Sequence, residues 1–331
     1  DEMIKQIDIS QIPIVDEELA KKQADKKIGE DIALGSRVEL GKPSIQEVNG
    51  ELLFVAPLEH SSPLKWWANR TTPGYITVSA SNPNKVNYVT EIDGEKIQIR
   101  YQTSAILGKD LKRYIREHGY RNVGLTEYTF ELNDEGRPYW VVTTYENQIL
   151  WGCPEATGVV IVDAQTGEIN WYPCEGVPKW VDIVQPEEFV DEQINNWGEY
   201  VRGWWNPADT DKIKKTDRTI PVFVEDDCYY FTGMTSVGKD DSCVGFIMVN
   251  TRNKKAVMSY MSGATEDAAM KSAEGLVQNF GYEATEPTPI NINGIPSYVV
   301  PLKDTEKLIK SCAIVNVTDY SIAVNGNTLE E

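Results

Sequence analysis

Gly74-Tyr75-Ile76-Thr77-Val78 and Gly245-Phe246-Ile247-Met248-Val249 are two versions of one stretch. In each, a glycine opens a strand-like run of β-branched and aromatic residues. A polar turn with Asn and Lys follows: Asn82-Pro83-Asn84-Lys85 in the first, Arg252-Asn253-Lys254-Lys255 in the second. Each then re-enters a short strand-like run ending at Tyr88 or Tyr260. Alternation around a turn predicts hairpins.

The likeness continues outward in the same order. Helical spacing predicts one helix over Ser104–His118 and another over Thr265–Asn279, with Thr265 as N-cap and Glu266 and Asp267 in the first turn. Both lead into Gly-Tyr, at Gly119-Tyr120 and Gly281-Tyr282, where glycine supplies a left-handed cap. Then Gly136-Arg137-Pro138-Tyr139-Trp140-Val141-Val142 aligns with Gly294-Ile295-Pro296-Ser297-Tyr298-Val299-Val300. A last hairpin runs through Val159–Asp163 and Ile169–Trp171, with its counterpart at Ala313–Val317 and Tyr320–Val324. This order predicts an α+β fold of two related modules. Each is an antiparallel sheet with one main helix, and an aromatic-rich helical connector joins them. The expected divisions are 1–44, a lead-in segment with a helix from Asp16 to Ile28; 45–174, the first module; 175–219, the connector; and 220–331, the second module.

The connector carries Phe189, Val190, Ile194, Trp197, Val201 and Trp204 at helical intervals, and Pro207 should end it. Its tryptophans raise the possibility of an interfacial helix. The acidic face of Glu187, Glu188, Asp191 and Glu192 argues instead for core packing, because interfacial helices carry Lys and Arg. Trp197, Trp204, Trp205, Trp140 and Tyr298 are the candidate binding residues.

Composition narrows the function. The chain has 331 residues, 32 Lys+Arg against 51 Asp+Glu, and a formal charge of -19. That charge disfavours nucleic acid, which draws Lys and Arg patches by counterion release. The two histidines, His60 in a polar loop and His118 near a helix end, are too few for a multi-imidazole metal site. Asp226-Asp227 and Asp240-Asp241 sit beside turns and lack EF-hand spacing. No Walker loop, dinucleotide glycine pattern or GxSxG elbow occurs. No catalytic residue, metal or cofactor is assigned. Of five cysteines, Cys153 and Cys174 flank a hairpin; a disulfide there would stabilise by about 3 kcal/mol, and five reduced thiols are the alternative. No apolar run is long enough to span a bilayer. The chain starts with Asp1 rather than Met, which suggests that a membrane segment precedes it.

Val159–Ile169, with its Asp163-Ala164-Gln165-Thr166-Gly167 turn, resembles a PepSY-type module. That family is typically extracytoplasmic in bacteria and associated with protease propeptides and envelope proteins. The wider chain resembles the soluble extracytoplasmic part of a group of large bacterial membrane proteins. The supporting stretches are Ile12–Asp16, Lys65-Trp66-Trp67-Ala68-Asn69-Arg70, Pro178–Asp182 and Thr232–Gly238. Duplicated modules without a catalytic constellation point to a non-enzymatic binding or regulatory region, and the resemblance implies a place outside the cytoplasm. The region would engage a peptide, protein or envelope component and be anchored through a segment outside this chain. The alternatives are a carboxylate-dependent glycan hydrolase and a structural assembly protein.

Overall fold

The computed structural model describes residues 12–147, 154–200, 212–224, 227–236 and 242–326. Contacts divide the chain into two compact units, Glu17–Val184 and a second made of Asp1–Asp16 with Gln185–Glu331. We call them the inner and outer units. The stretch expected as a connector is shared out: residues 177–184 belong to the inner unit, and the helix Glu187–Tyr200 to the outer.

The α+β expectation needs correcting. Strand accounts for 45% of the structure and helix for 21%. The described residues form 23 strands in six sheets and only six α-helices. Neither unit is a simple PepSY-like sheet with one main helix. The helix expected over Ser104–His118 is shorter than its spacing suggested, for a local cause. Periodicity extends the first helix back to Ser104, but Leu107 adopts φ 56°. Asp110 then starts the helix afresh, its carboxylate accepting from Arg113 N at 2.7 Å, so only Leu111–Glu117 is α-helical. The second runs Glu266–Leu276, with the Thr265 hydroxyl accepting from Ala268 N at 3.1 Å.

What repeats is sheet order. In the inner unit the ten-residue strand Glu51–His60 pairs along one edge with Val38–Leu40 and Ser44–Val48. On its other edge lies Tyr75–Ser79, followed by Val86–Val89. In the outer unit Asp227–Ser236 pairs with Ile213–Lys215 and Ile220–Val224, then with Gly245–Asn250, followed by Ala256–Ser259. A second antiparallel sheet follows in each. It is Gly124–Leu132, Pro138–Asn147, Pro154–Asp163 and Ile169–Pro173 in the inner unit. In the outer it is Thr288–Ile292, Ile295–Lys303, Ile309–Asn316 and Ala323–Gly326, with the short Glu283–Ala284 on Ile295–Lys303.

The repeated glycines mark a close approach of backbones. A Cβ at Gly74, which adopts φ 80°, would lie 1.8 Å from the Val89 carbonyl oxygen. One at Gly245 would lie 2.6 Å from that of Ser259. Only a residue without a side chain lets the next strand fold back this tightly.

Each unit has its own core. In the inner unit Val55 and Tyr75 from the first sheet meet Phe130, Trp140, Val142 and Val160 from the second, with Leu111 and Ile115 of the helix packed on them. In the outer unit Phe231 and Phe246 meet Tyr298, Val300 and Val315, with Ala269 and Ala273 from the helix. A fully buried Val, Leu or Phe side chain contributes roughly 1.5–3 kcal/mol, so these clusters dominate stability. Residues 12–16 are held to the outer unit by apolar packing and by a buried ion pair. Ile12 packs with Ile290, Val299 and Cys312. Asp16 accepts from the ammonium of Lys303, whose side chain is 2% exposed. Among the described residues no helix is long and apolar enough to cross a membrane.

Candidate functional site

A cleft of about 590 Å³ lies in the inner unit. The sequence Ser62-Pro63-Leu64-Lys65-Trp66-Trp67-Ala68 builds one wall. Ser62 caps a short helix, its hydroxyl accepting from Lys65 N at 3.3 Å, and Pro63 stands at the first turn, where its missing N–H is harmless. Trp66 is 1% exposed and anchors this helix, while Arg70 stacks over Trp66 and Trp67 at 5.2 and 5.4 Å. The anchored turn presents Lys65 and Asn69 to the cleft. Arg37 and Lys96 join them from distant parts of the chain, and Glu91 is the one carboxylate in the lining. The rim is therefore cationic in a chain of charge -19.

His60 lies at this cleft, and here the structure corrects the polar-loop reading. It is the last residue of the strand Glu51–His60 and 5% exposed. Its Nε2 is 2.6 Å from the Asn69 carbonyl oxygen and its Nδ1 is 3.0 Å from Gln102 Oε1. Gln102, fully buried, donates through Nε2 to the Leu58 carbonyl at 3.2 Å and to the Thr72 hydroxyl. Thr72 donates in turn to Leu58 O at 2.6 Å. This network ties the cleft floor to the strands and loops around it. Just behind it, burial pushes the Glu59 carboxyl up, against the Thr103 hydroxyl bonded to it at 2.5 Å.

The candidate binding residues scatter. Trp140 is 3% exposed inside the inner core, and its Nε1 donates to the Tyr101 carbonyl at 2.8 Å. Tyr298 is wholly buried in the outer core. Trp197 is 42% exposed and lines an apolar groove of about 300 Å³ with Val190, Ile194, Ile247 and Met258. Trp204, Trp205 and Cys153 lie outside the described residues, as do Asp226, Asp240 and Asp241. Cys174 donates to the Ala156 carbonyl at 3.5 Å.

The outer core holds a titratable group that periodicity alone does not reveal. Glu266 opens its helix 1% exposed, and Oε1 accepts from Gly233 N at 2.8 Å. Oε2 and the Tyr298 hydroxyl have no hydrogen-bond partner. Burial pushes the Glu266 carboxyl up, and bonds from the Gly233 N–H and Thr216 only partly oppose it. Burial also lifts Tyr298 well above the usual phenol range and Cys243 to about 12. A thiol so shifted is not a nucleophile at neutral pH. Among the described residues no group of three or more His, Cys, Asp or Glu side chains is placed to hold a metal ion.

No protein family and no curated protein matches the chain. Among solved structures, it is similar to a tryptophan-to-alanine mutant of Synechocystis apocarotenoid oxygenase at TM-score 0.27 and 10% identity. The likeness covers 89% of this chain and 63% of that one. A glutamate-to-glutamine mutant of the same oxygenase gives 0.18 and 7%, covering 88% and 51%. The chain thus spans less than two thirds of these proteins, and scores this low transfer neither fold nor activity.

Proposed function

We propose that the chain is a non-enzymatic binding region whose principal site is the cationic cleft of the inner unit. Its ligand is an acidic peptide or an acidic segment of a protein partner. One observation carries this reading: Arg37, Lys65 and Lys96 gather around a single carboxylate, Glu91, although acidic residues outnumber basic ones in the chain. At physiological ionic strength charges beyond about 8 Å are screened, so the lining outweighs the distant acidic surface once a ligand is seated. The volume falls within the range of about 300–1,000 Å³ usual for ligand sites. The hydrogen-bonded floor of His60, Gln102 and Thr72 limits the entropy lost on binding. The location that goes with this reading, outside the cytoplasm with an anchor beyond this chain, draws on the wider chain's resemblance to the soluble part of large bacterial membrane proteins. Cell fractionation tests it.

The test of the site is fluorescence anisotropy with a fluorescein-labelled Glu-rich peptide. Arg37→Glu combined with Lys96→Glu should weaken binding at least about tenfold, and added salt should weaken it further. Both side chains are exposed, so the fold should survive. Unchanged affinity in the double variant, no binding by the parent protein, or turnover that disappears in Glu91→Gln would each overturn the reading.

A further inference from the structure

The second sheet of the inner unit has two faces. One is buried in the main core. Most of the other is closed by Val177, Val181 and Val184 packing on Val141, Val159 and Ile161. The covering segment leaves one end open, next to the turn from Asp163 to Glu168. The opening is a concavity of about 310 Å³.

Three neighbouring strands supply its floor. Tyr139 pairs with Asp163, and Asn170 with Ile161, so their side chains share this face. Trp180, from the covering segment, lies against Tyr139 with ring centroids 5.1 Å apart and planes at 31°. Arg137 and Glu168 complete the polar part of the lining. The turn holds these groups in place. Asp163 Oδ1 accepts from Gln165 N and Thr166 N, both at 2.8 Å, and Gly167 N returns to the Asp163 carbonyl at 2.9 Å. Asn170 Nδ2 donates to Glu168 Oε1 at 3.2 Å.

We propose that this concavity is a saccharide-binding site that takes a neutral sugar. The argument is one of matching chemistry. A sugar ring has an apolar C–H face and a rim of hydroxyls, each both donor and acceptor. The site has an aromatic wall, Tyr139 with Trp180, beside a mixed set of planar polar groups. Arg137 and Asn170 donate; Asp163, Glu168 and the Asn170 carbonyl accept. An anionic ligand would meet two carboxylates against one guanidinium. A quaternary ammonium ion suits aromatic walls, but it would face Arg137 and leave the hydrogen-bonding groups unmatched. A hydroxyl-rich neutral ring satisfies donors and acceptors alike. This site is separate from the cationic cleft, with which it shares no lining residue.

Isothermal titration calorimetry of the intact chain with chitotriose, cellotriose and maltotriose tests the proposal. At least one trisaccharide should bind, and both Asn170→Ala and Trp180→Ala should weaken it about tenfold, the equivalent of about 1.4 kcal/mol. Asn170 is exposed at the sheet edge, so its variant keeps the test valid if Trp180→Ala proves unstable. Arg37→Glu with Lys96→Glu should leave sugar binding unchanged. The proposal fails if none of the three sugars binds. It fails equally if a bound sugar ignores Asn170→Ala, or if choline or citrate binds in competition at the same residues.

Discussion

Trp140 and Tyr298 hold the same place in their units. Each stands two residues after the proline of a Gly-x-Pro turn, and each is buried beside the unit's helix. Their polar atoms fare differently. The Trp140 N–H reaches the Tyr101 carbonyl, whereas the Tyr298 hydroxyl has no partner. The residues that open the two helices differ in the same sense. Leu111 is fully buried and apolar, while Glu266 is 1% exposed and carries a carboxyl with one oxygen unmatched. One sheet order therefore tolerates different groups at matching buried positions. In the inner unit the cleft floor rests on neutral amide, hydroxyl and carbonyl groups. Ionisable side chains are buried in both units: His60, Glu131 and Asp163 in the inner, and Lys303, paired with Asp16, and Glu266 in the outer. The outer unit's Lys303 pair and Glu266 carboxyl and the inner unit's Gln102 network can be tested one unit at a time.

Amide hydrogen exchange, which reads each unit separately, can break this comparison. The largest effect should come from Asp16→Ala, which removes the carboxylate paired with the buried Lys303 ammonium. Breaking a buried ion pair costs up to about 3–5 kcal/mol, and the partly exposed Asp16 puts this case near the lower bound. Protection should fall in the outer unit only; an unchanged outer unit would mean that the lysine escapes to solvent. Next is Gln102→Leu, which removes a partner from His60, Leu58 and Thr72 at once. Losing such bonds costs about 2 kcal/mol, and protection should fall in the inner unit only.

The smallest effect should be a gain. Glu266→Gln keeps an acceptor for the Gly233 N–H and removes the charge, stabilising the outer unit by about 1 kcal/mol at neutral pH. The sign follows from linkage. The folded carboxyl titrates above its ordinary 4.5, so its stabilising contribution is full below that value and is lost as pH rises through the folded value. The parent protein should therefore lose outer-unit stability between about pH 4.5 and neutrality, with the variant flatter over the same window. Denaturant titrations across that range check it, and parallel curves would contradict it.

Local order was the legible part of this sequence. The Gly74 and Gly245 strands, the Thr265 cap and the Gly281 left-handed residue stand where spacing puts them. The helix expected over Ser104–His118 was drawn too long because a 3.6-residue period says nothing about the break at Leu107 and Asp110. Sheet content was understated because Glu51–His60 and Asp227–Ser236 are buried along most of their length and lack clear alternation. The clefts were illegible for a different reason. Arg37, Lys65 and Lys96 come from distant stretches that meet only in the folded chain, and Trp180 stands in the stretch expected as part of the helical connector. Burial of Glu266 is equally hidden, since a first-turn glutamate ordinarily serves the helix dipole from the surface.

That residues 12–16 belong with residues beyond 185 gives synthesis a schedule. The inner unit is one unbroken stretch and can close its core while the ribosome is still at work. The outer unit needs residues 12–16, made before the inner unit, and the strand Ile295–Lys303, made after it. At about 5–20 residues per second the intervening inner unit takes roughly ten to thirty seconds to emerge. Throughout that interval the buried partners of Ile12 and Asp16 do not yet exist. Completion of the outer unit thus waits until the strand Ile295–Lys303 has been made, after the whole inner unit.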